Sequence, residues 1–321
     1  MKPPHSAGTP HTPNLFIAGV PKAGTTALAR WLADHPEVQG GVEKELRFLM
    51  DAGSTQARRR GYHETGIEGY ARLFPGDPQD CRYRLDASPQ YYYQETALEV
   101  VPRLPTPAHV VLVFREPAAR VYSLYRFAQN NQAVLSQDVG FREFLEAVDG
   151  DGGTLLRRRP MLRDSVRHSE YAGYVERWQR ALPAERLHYL LFEDLVQTPR
   201  SGVERLASRL HIDPDFFAGY GFPKENETYR VRSRLVHLLM RAGRHLVRGD
   251  ALRRRVKRAY FEINTDRPAE RSSDDERALG ELAGRFAEAN RRLAELTGLD
   301  LSSWEADAGN LERAAGSPLD A

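Results

Sequence analysis

The sequence predicts an α/β fold, a parallel β-sheet flanked by helices, and three observations carry that expectation. Residues 14–20 (NLFIAGV) form a short apolar strand that ends in a Gly-Pro turn and runs straight into a helical pattern. Residues 109–114 (HVVLVF) are a continuous apolar run, the pattern of a strand buried on both faces of a parallel sheet. A third run, 187–192, follows a helical stretch marked by Tyr171, Tyr174, Val175 and Trp178. Strands that alternate with helices build layered sheets through crossover connections.

The elements follow in order. Residues 1–13 hold four prolines and no apolar stretch and are expected to be a disordered tail. After the first strand comes the turn PKAGTT, then a helix over 27–34 with Leu28, Trp31 and Leu32 at helical spacing. Weaker strands are expected at 38–40 and 83–86, with a loop and short helix over 62–74 between them. The strand 109–114 leads through an Arg-Glu-Pro turn into a helix over 118–130. Gly150, Gly152 and Gly153 mark an insertion, followed by the charged run 157–159. Near the end, Leu279, Leu282, Phe286, Ala289, Leu293 and Leu296 recur at steps of three and four, which predicts one amphipathic helix. Asp274, Asp275 and Glu276 start it and Gly298 closes it. A single domain over 14–304, with a second tail over 305–321, is the expected organisation.

Composition narrows the function classes. The 46 Lys and Arg residues nearly balance 44 Asp and Glu residues, so the net charge of +2 argues against a dedicated nucleic-acid binder. A hydrophobic share of 41% suffices for a core in a chain of 321 residues. One cysteine, Cys81, excludes an intramolecular disulfide framework and a Cys-rich zinc site. No segment reaches the ~18 apolar residues of a membrane span, and the N-terminus lacks the apolar core of a secretory signal. A soluble, cytoplasmic protein is the expectation, with no transmembrane segment and no nucleic acid among its partners.

The strand–turn–helix junction at 19–26 has the chemistry of a phosphate cradle. Glycine lets a backbone approach an anion, the helix N-terminus adds positive potential, and Lys22, Thr25 and Thr26 add donors. It is P-loop-like without being the nucleoside triphosphatase pattern, in which lysine follows the second glycine; here Lys22 precedes Gly24 by two positions. The strand 109–114 also ends in Arg115, where a metal-holding Asp is expected in a triphosphatase. A second cation in place of that carboxylate implies an anionic ligand handled without Mg²⁺.

These residues resemble the sulfotransferases that use 3′-phosphoadenosine-5′-phosphosulfate (PAPS), most closely the carbohydrate-type and bacterial branch. The matching segments are PKAGTTAL (21–28), HPEV (35–38), KELRFL (44–49), DASPQY (86–91), REPAARVYSLY (115–125), SEYAGYVERW (169–178), LFEDL (191–195) and TGLDLSSW (297–304), in order along most of the chain. The resemblance implies the sulfotransferase fold, with a 5′-phosphosulfate loop formed by Lys22, Ala23, Gly24, Thr25, Thr26 and Ala27. It assigns Arg115 and Ser123 to the 3′-phosphate, with adenosine 3′,5′-bisphosphate (PAP) as product and no metal. It implies transfer of a sulfuryl group to a hydroxyl or amine of a carbohydrate, lipid or small-molecule acceptor. Lys22 is then the group that meets charge on the leaving phosphate, and Glu45 of the Lys-Glu motif is the general base, with Lys44 assisting. The sequence departs from the branch pattern K-E-x-H-F-F at Arg47 and Leu49.

Several readings stay open at this level. Glu45 is either the base or a surface glutamate paired with Lys44 or Arg47, and His63 and His168 are rival bases, because other sulfotransferases use histidine. Arg120 is either a third phosphate ligand or a residue facing solvent or Glu116. Ser88 and Tyr91 are acceptor-pocket candidates. The basic segment 230–258 reads as a helix with a solvated basic face, as a lid over the nucleotide, or as a face for an anionic acceptor or membrane. The competing functions are a P-loop nucleotide kinase or triphosphatase and a non-catalytic nucleotide-binding protein.

Overall fold

The computed structural model describes residues 12–74, 81–132, 134–150, 156–157, 159–223, 230–231, 265–266 and 271–304. Residues 1–11 of the tail expected over 1–13, most of the glycine-rich insertion, nearly all of the basic segment 230–258 and the tail 305–321 lie outside the described residues; Thr12 and Pro13 are buried, which ends the expected tail before them.

The described elements are β1 (Leu15–Gly19), α1 (Thr25–Ala33), β2 (Val38–Gly40), α2 (Tyr62–Thr65), β3 (Tyr83–Asp86), α3 (Glu95–Val100), β4 (His109–Phe114), α4 (Pro117–Asn130), α5 (Phe141–Asp149) and α6 (Pro160–Arg163). They continue with α7 (Tyr171–Ala181), β5 (Leu187–Leu191), α8 (Phe192–Gln197), α9 (Pro199–Arg209), β6 (Arg230–Val231), β7 (Thr265–Asp266), α10 (Ser273–Arg285) and α11 (Ala287–Thr297). Short 3₁₀ turns at Ile67–Leu73 and Pro89–Tyr93 flank β3.

Two compact units make up the chain. The first contains residues 12–116, 170–223 and 287–302. It carries a five-stranded, all-parallel sheet in the order β2-β3-β1-β4-β5. β1 and β4 are apolar because helices cover both faces of such a sheet; Phe16, Ile17, Val110, Val111 and Leu112 have no exposed surface. Each such side chain contributes about 1.5–3 kcal/mol by leaving water. The chain moves to one side of β1 to make β2 and β3, then to the other side for β4 and β5. That reversal opens a crevice beyond the carboxyl ends of β1 and β4, the place where open α/β sheets bind ligands.

The second unit includes α4, α5, α6 and α10, with a core of Leu124, Tyr125, Phe141, Phe144, Leu282 and Phe286. β6 and β7 pair antiparallel within it.

One expected element is corrected. The apolar stripe from Leu279 to Leu296 is two helices, α10 and α11, that meet at Phe286. Leu279, Leu282 and Phe286 fill the core of the second unit, whereas Leu293 is buried in the first, where α11 lies along α7. A single straight helix presents one stripe to one core, so a stripe that serves two cores has to break.

Candidate active site

The turn after β1 is built by its backbone. Val20 N–H donates to the Val113 carbonyl at 2.9 Å, which ties the start of the turn to β4. Lys22 adopts φ +75°, a left-handed conformation that costs a non-glycine residue roughly 1–3 kcal/mol. Gly24 caps α1 at φ +76° without a side-chain hydrogen bond, so the helix N-terminus is not closed by its own cap. A Cβ on Gly24 would stand 2.9 Å from Cδ2 of Phe192, so the position favours glycine for space as well as conformation. Ala23 and Thr25 are buried, and Lys22, Thr26 and Ala27 are half-buried.

Arg115 follows β4 directly. Its Nη1 donates to the Lys22 carbonyl at 3.2 Å, and its guanidinium lies 4.5 Å from the Phe192 ring centroid. Tyr171 Oη donates to the Arg115 carbonyl at 2.8 Å. Phe192 therefore packs against both Gly24 and Arg115. The Lys22 amine is pushed down to about 8, first by burial, then by the charges of Arg115 and Lys44, with Glu45 acting the other way.

The Lys-Glu motif lies in the loop after β2. Glu45 is buried enough to raise its carboxyl, but Lys44 and Arg47 overcome that effect and hold it down to about 2. Lys44 Nζ donates to Oε1 at 2.9 Å; Arg47 Nη2 and Nε donate to Oε2 at 2.6 and 3.1 Å. An open depression of about 480 Å³ beside this cluster is lined by Glu43, Lys44, Glu45, Arg47, Gln56 and Arg58. A second depression, about 300 Å³, runs between Thr26 of α1 and Glu43, Lys44, Leu85 and Ala87. The phosphate turn and the Lys-Glu motif thus share one surface.

Buried polar groups fix the loop. Asp86, at the end of β3, accepts from Ser88 Oγ at 2.6 Å, Tyr91 Oη at 2.9 Å and Tyr70 Oη at 3.0 Å. Ser88 Oγ accepts the Arg47 N–H at 2.9 Å, and Tyr91 Oη accepts the N–H groups of Phe48 and Leu49 at 2.8 and 3.1 Å. Burial raises Asp86 to about 6 against these donors. Ser88 and Tyr91 are fully buried. They are struts beneath the Lys-Glu loop, which corrects their expected place in the acceptor pocket.

Other predicted residues divide between the units. Ser123 is half-buried on α4 of the second unit. Arg120 does not face solvent: it is 1% exposed and its Nη1 donates to Ser169 Oγ at 2.6 Å and to the Ser165 carbonyl at 3.2 Å. His168 is buried in the same unit, its imidazole pushed down to about 3 by burial and then by Arg120. His63, in the first unit, is exposed, with Nε2 3.1 Å from Thr96 Oγ1. Among the described residues, no group of three or more His, Cys, Asp or Glu side chains is placed to hold a metal ion.

The family model described as a sulfotransferase domain matches residues 12–216. This chain belongs to the sulfotransferase family. It is 25% identical over 219 residues to the bifunctional heparan sulfate N-deacetylase/N-sulfotransferase of Drosophila melanogaster, covering 63% of this chain and 20% of that protein. It is 26% identical over 203 residues to heparan sulfate glucosamine 3-O-sulfotransferase 5 of Mus musculus, covering 63% of this chain and 54% of that protein. The chain thus spans about a fifth to a half of the length of these relatives. Among solved structures, a sulfotransferase from Alicyclobacillus acidocaldarius shares the fold, at a TM-score of 0.62 and 22% identity over 91% of this chain and 98% of that one.

Two contributors to the candidate site, Phe192 and Gln90, carry no signal in the sequence. Phe192 was assigned to the end of a strand, but it opens α8 and packs on Gly24 and Arg115. Gln90 sits inside the DASPQY segment, and its Nε2 donates to Glu45 Oε2 at 3.2 Å. Arg47, the pairing partner that the alternative reading of Glu45 named, is bonded to it through two nitrogens. A long donor two residues from Glu45 is the local signal for Arg47; nothing local signals Phe192 or Gln90.

Proposed function

We propose that this sulfotransferase moves a sulfuryl group from PAPS to a hydroxyl or amine of a carbohydrate, lipid or small-molecule acceptor by in-line displacement. The observation that carries the reading is that Arg115, Lys44 and the Glu45 carboxylate all lie within electrostatic reach of Lys22 at the strand ends. Three cations together repel; an anionic substrate relieves that repulsion, and a doubly phosphorylated nucleotide supplies the charge. Arg115 presents a planar fork suited to the 3′-phosphate, and the family resemblance implies the same role for Ser123. The turn from Lys22 to Ala27 offers backbone donors and the Thr25 and Thr26 hydroxyls to the 5′-phosphate.

In the transfer, the acceptor oxygen or nitrogen forms a bond to sulfur while the bond from sulfur to the 5′-phosphate oxygen breaks. The electron pair of that bond stays on the phosphate, where Lys22 meets the developing charge. The acceptor proton passes to Glu45. Sulfuryl carries less charge than phosphoryl, and the lysines and Arg115 take the place that a divalent cation fills in phosphoryl transfer. The reading extends to a soluble cytoplasmic enzyme, for which a single free Cys81 is suited; among the described residues no helix is long and apolar enough to cross a membrane.

The test is an acceptor screen with labelled PAPS, reading the mass gain of one SO₃ group, run on the native chain and on Glu45→Gln. Native protein is expected to sulfate at least one acceptor class, and the variant to lose about 10²–10⁴ in kcat while it still binds PAP. Near-normal kcat in Glu45→Gln removes Glu45 from the role of base. Preference for ATP with Mg²⁺ over PAP replaces the sulfotransferase reading with that of a kinase.

A further inference from the structure

The two oxygens of Glu45 are held unequally. Oε2 accepts from Arg47 Nη2 at 2.6 Å, Arg47 Nε at 3.1 Å and Gln90 Nε2 at 3.2 Å. Oε1 accepts from Lys44 Nζ at 2.9 Å, its one donor within hydrogen-bond reach among the described residues. An ionised carboxylate has about four lone-pair sites, two on each oxygen. Oε2 is therefore saturated, and Oε1 has a site to spare.

The donors on Oε2 are built into the fold. Arg47 adopts φ +51°, a left-handed conformation uncommon for a long side chain, and its N–H is pinned to Ser88 Oγ at 2.9 Å. Gln90 is 5% exposed and turns its amide nitrogen to Glu45 while its own Oε1 is buried without a partner. Reversing that amide would set two oxygens against each other, so the carboxylate dictates its orientation. A group that gives up one hydrogen bond to make another has been oriented for the one it makes.

We propose that Arg47 and Gln90 are positioning residues: they fix Oε2 of Glu45 as an anchor and leave Oε1 as the atom that takes the acceptor's proton. The proposal rests on the reading of Glu45 as the base. The proton leaves the acceptor O–H or N–H for Oε1, and the pair of that bond becomes available for the new bond to sulfur. The charged groups facing Glu45 are Lys44 and Arg47 by contact and Lys22 through space, with the Glu43–Arg58 ion pair, 3.3 Å, on the same depression.

The test compares Arg47→Met, Arg47→Lys, Gln90→Met and Glu45→Gln with the native chain, measuring kcat and acceptor KM against pH, and PAP affinity as a check of folding. Arg47→Met is expected to lower kcat about 10²-fold through misplacement of the base with acceptor KM little changed. It also raises the acid limb of kcat/KM by about 1–3 pH units, the usual effect of an adjacent arginine on a carboxylate. Arg47→Lys restores the charge without the fork, so the acid limb returns and kcat recovers in part. Gln90→Met lowers kcat without moving the acid limb, and it carries the test if Arg47→Met does not fold. A raised KM at unchanged kcat in Arg47→Met assigns Arg47 to acceptor binding and overturns the proposal. Full kcat in Gln90→Met and Arg47→Met, with Glu45→Gln inactive, overturns the clamp and leaves the base standing. Full kcat in Glu45→Gln overturns both.

Discussion

Lys22 combines a strained backbone with a lowered amine, and both follow from its position between a helix N-terminus and Arg115. Its amine titrates near 8 because burial and the charges of Arg115 and Lys44 outweigh Glu45. Only the protonated form attracts a phosphate, so nucleotide affinity is full well below pH 8 and is lost as pH rises through that value. A charge-assisted hydrogen bond is worth about 1.5–3 kcal/mol, so PAP affinity is expected to fall about tenfold or more between pH 7 and pH 9.5 by calorimetry. Lys22→Met is expected to bind weakly with that dependence gone; an unchanged pH profile in the variant assigns the titration to another group. The strand–turn–helix junction that carries Lys22 and the strand end that carries Arg115 were legible in the sequence, because each is a local pattern. The Gln90 donor on Glu45 Oε2 was not, because it reaches across 45 positions of chain.

Among the elements, the strands β2, β3 and β4 were legible to the residue: a buried parallel strand is a short run bounded by turns, and no partner alters its pattern. The stripe from Leu279 to Leu296 was not, since helical periodicity continues across Phe286 while the core it serves changes. The 3₁₀ turn Pro89–Tyr93 shows why Ser88 and Tyr91 were misplaced: the groups they hold are backbone N–H groups of 47–49, invisible in side-chain chemistry. Tyr91→Phe leaves the Phe48 and Leu49 N–H groups unpaired, and at about 1–3 kcal/mol for each buried orphan it is expected to cost roughly 2–5 kcal/mol in denaturant unfolding. Asp86 adds a pH signature. Its folded carboxyl is raised to about 6 from 3.8, so its contribution to stability is present below the lower value and lost as pH rises through the upper one. Tyr91→Phe removes a donor to the ionised form, so that loss moves to higher pH. Equal stability of the variant and the native chain at all pH values overturns the strut assignment.

For the whole molecule, charge is arranged locally: a net charge of +2 over 321 residues gives no long-range field, yet Lys22, Lys44 and Arg115 cluster at one end of the sheet. The α/β class was legible because strands and helices alternate. The order β2-β3-β1-β4-β5, which puts the reversal at β1 beside the phosphate turn, was not, since strand order is set by packing. If those cations replace a divalent ion, PAP binds in chelator, and binding to the folded chain alone stabilises it by RT ln(1 + [L]/Kd), about 2.7 kcal/mol at a hundred times Kd. The expected result is a rise of several degrees in the thermal midpoint with PAP in chelator, unchanged when Mg²⁺ is restored, and a smaller rise with ATP and Mg²⁺. A rise with PAP that appears only when Mg²⁺ is present shows that the cations do not suffice. The first unit, which carries all three cations, would then need an added metal to hold the nucleotide, and Lys22 would act beside that ion instead of in its place.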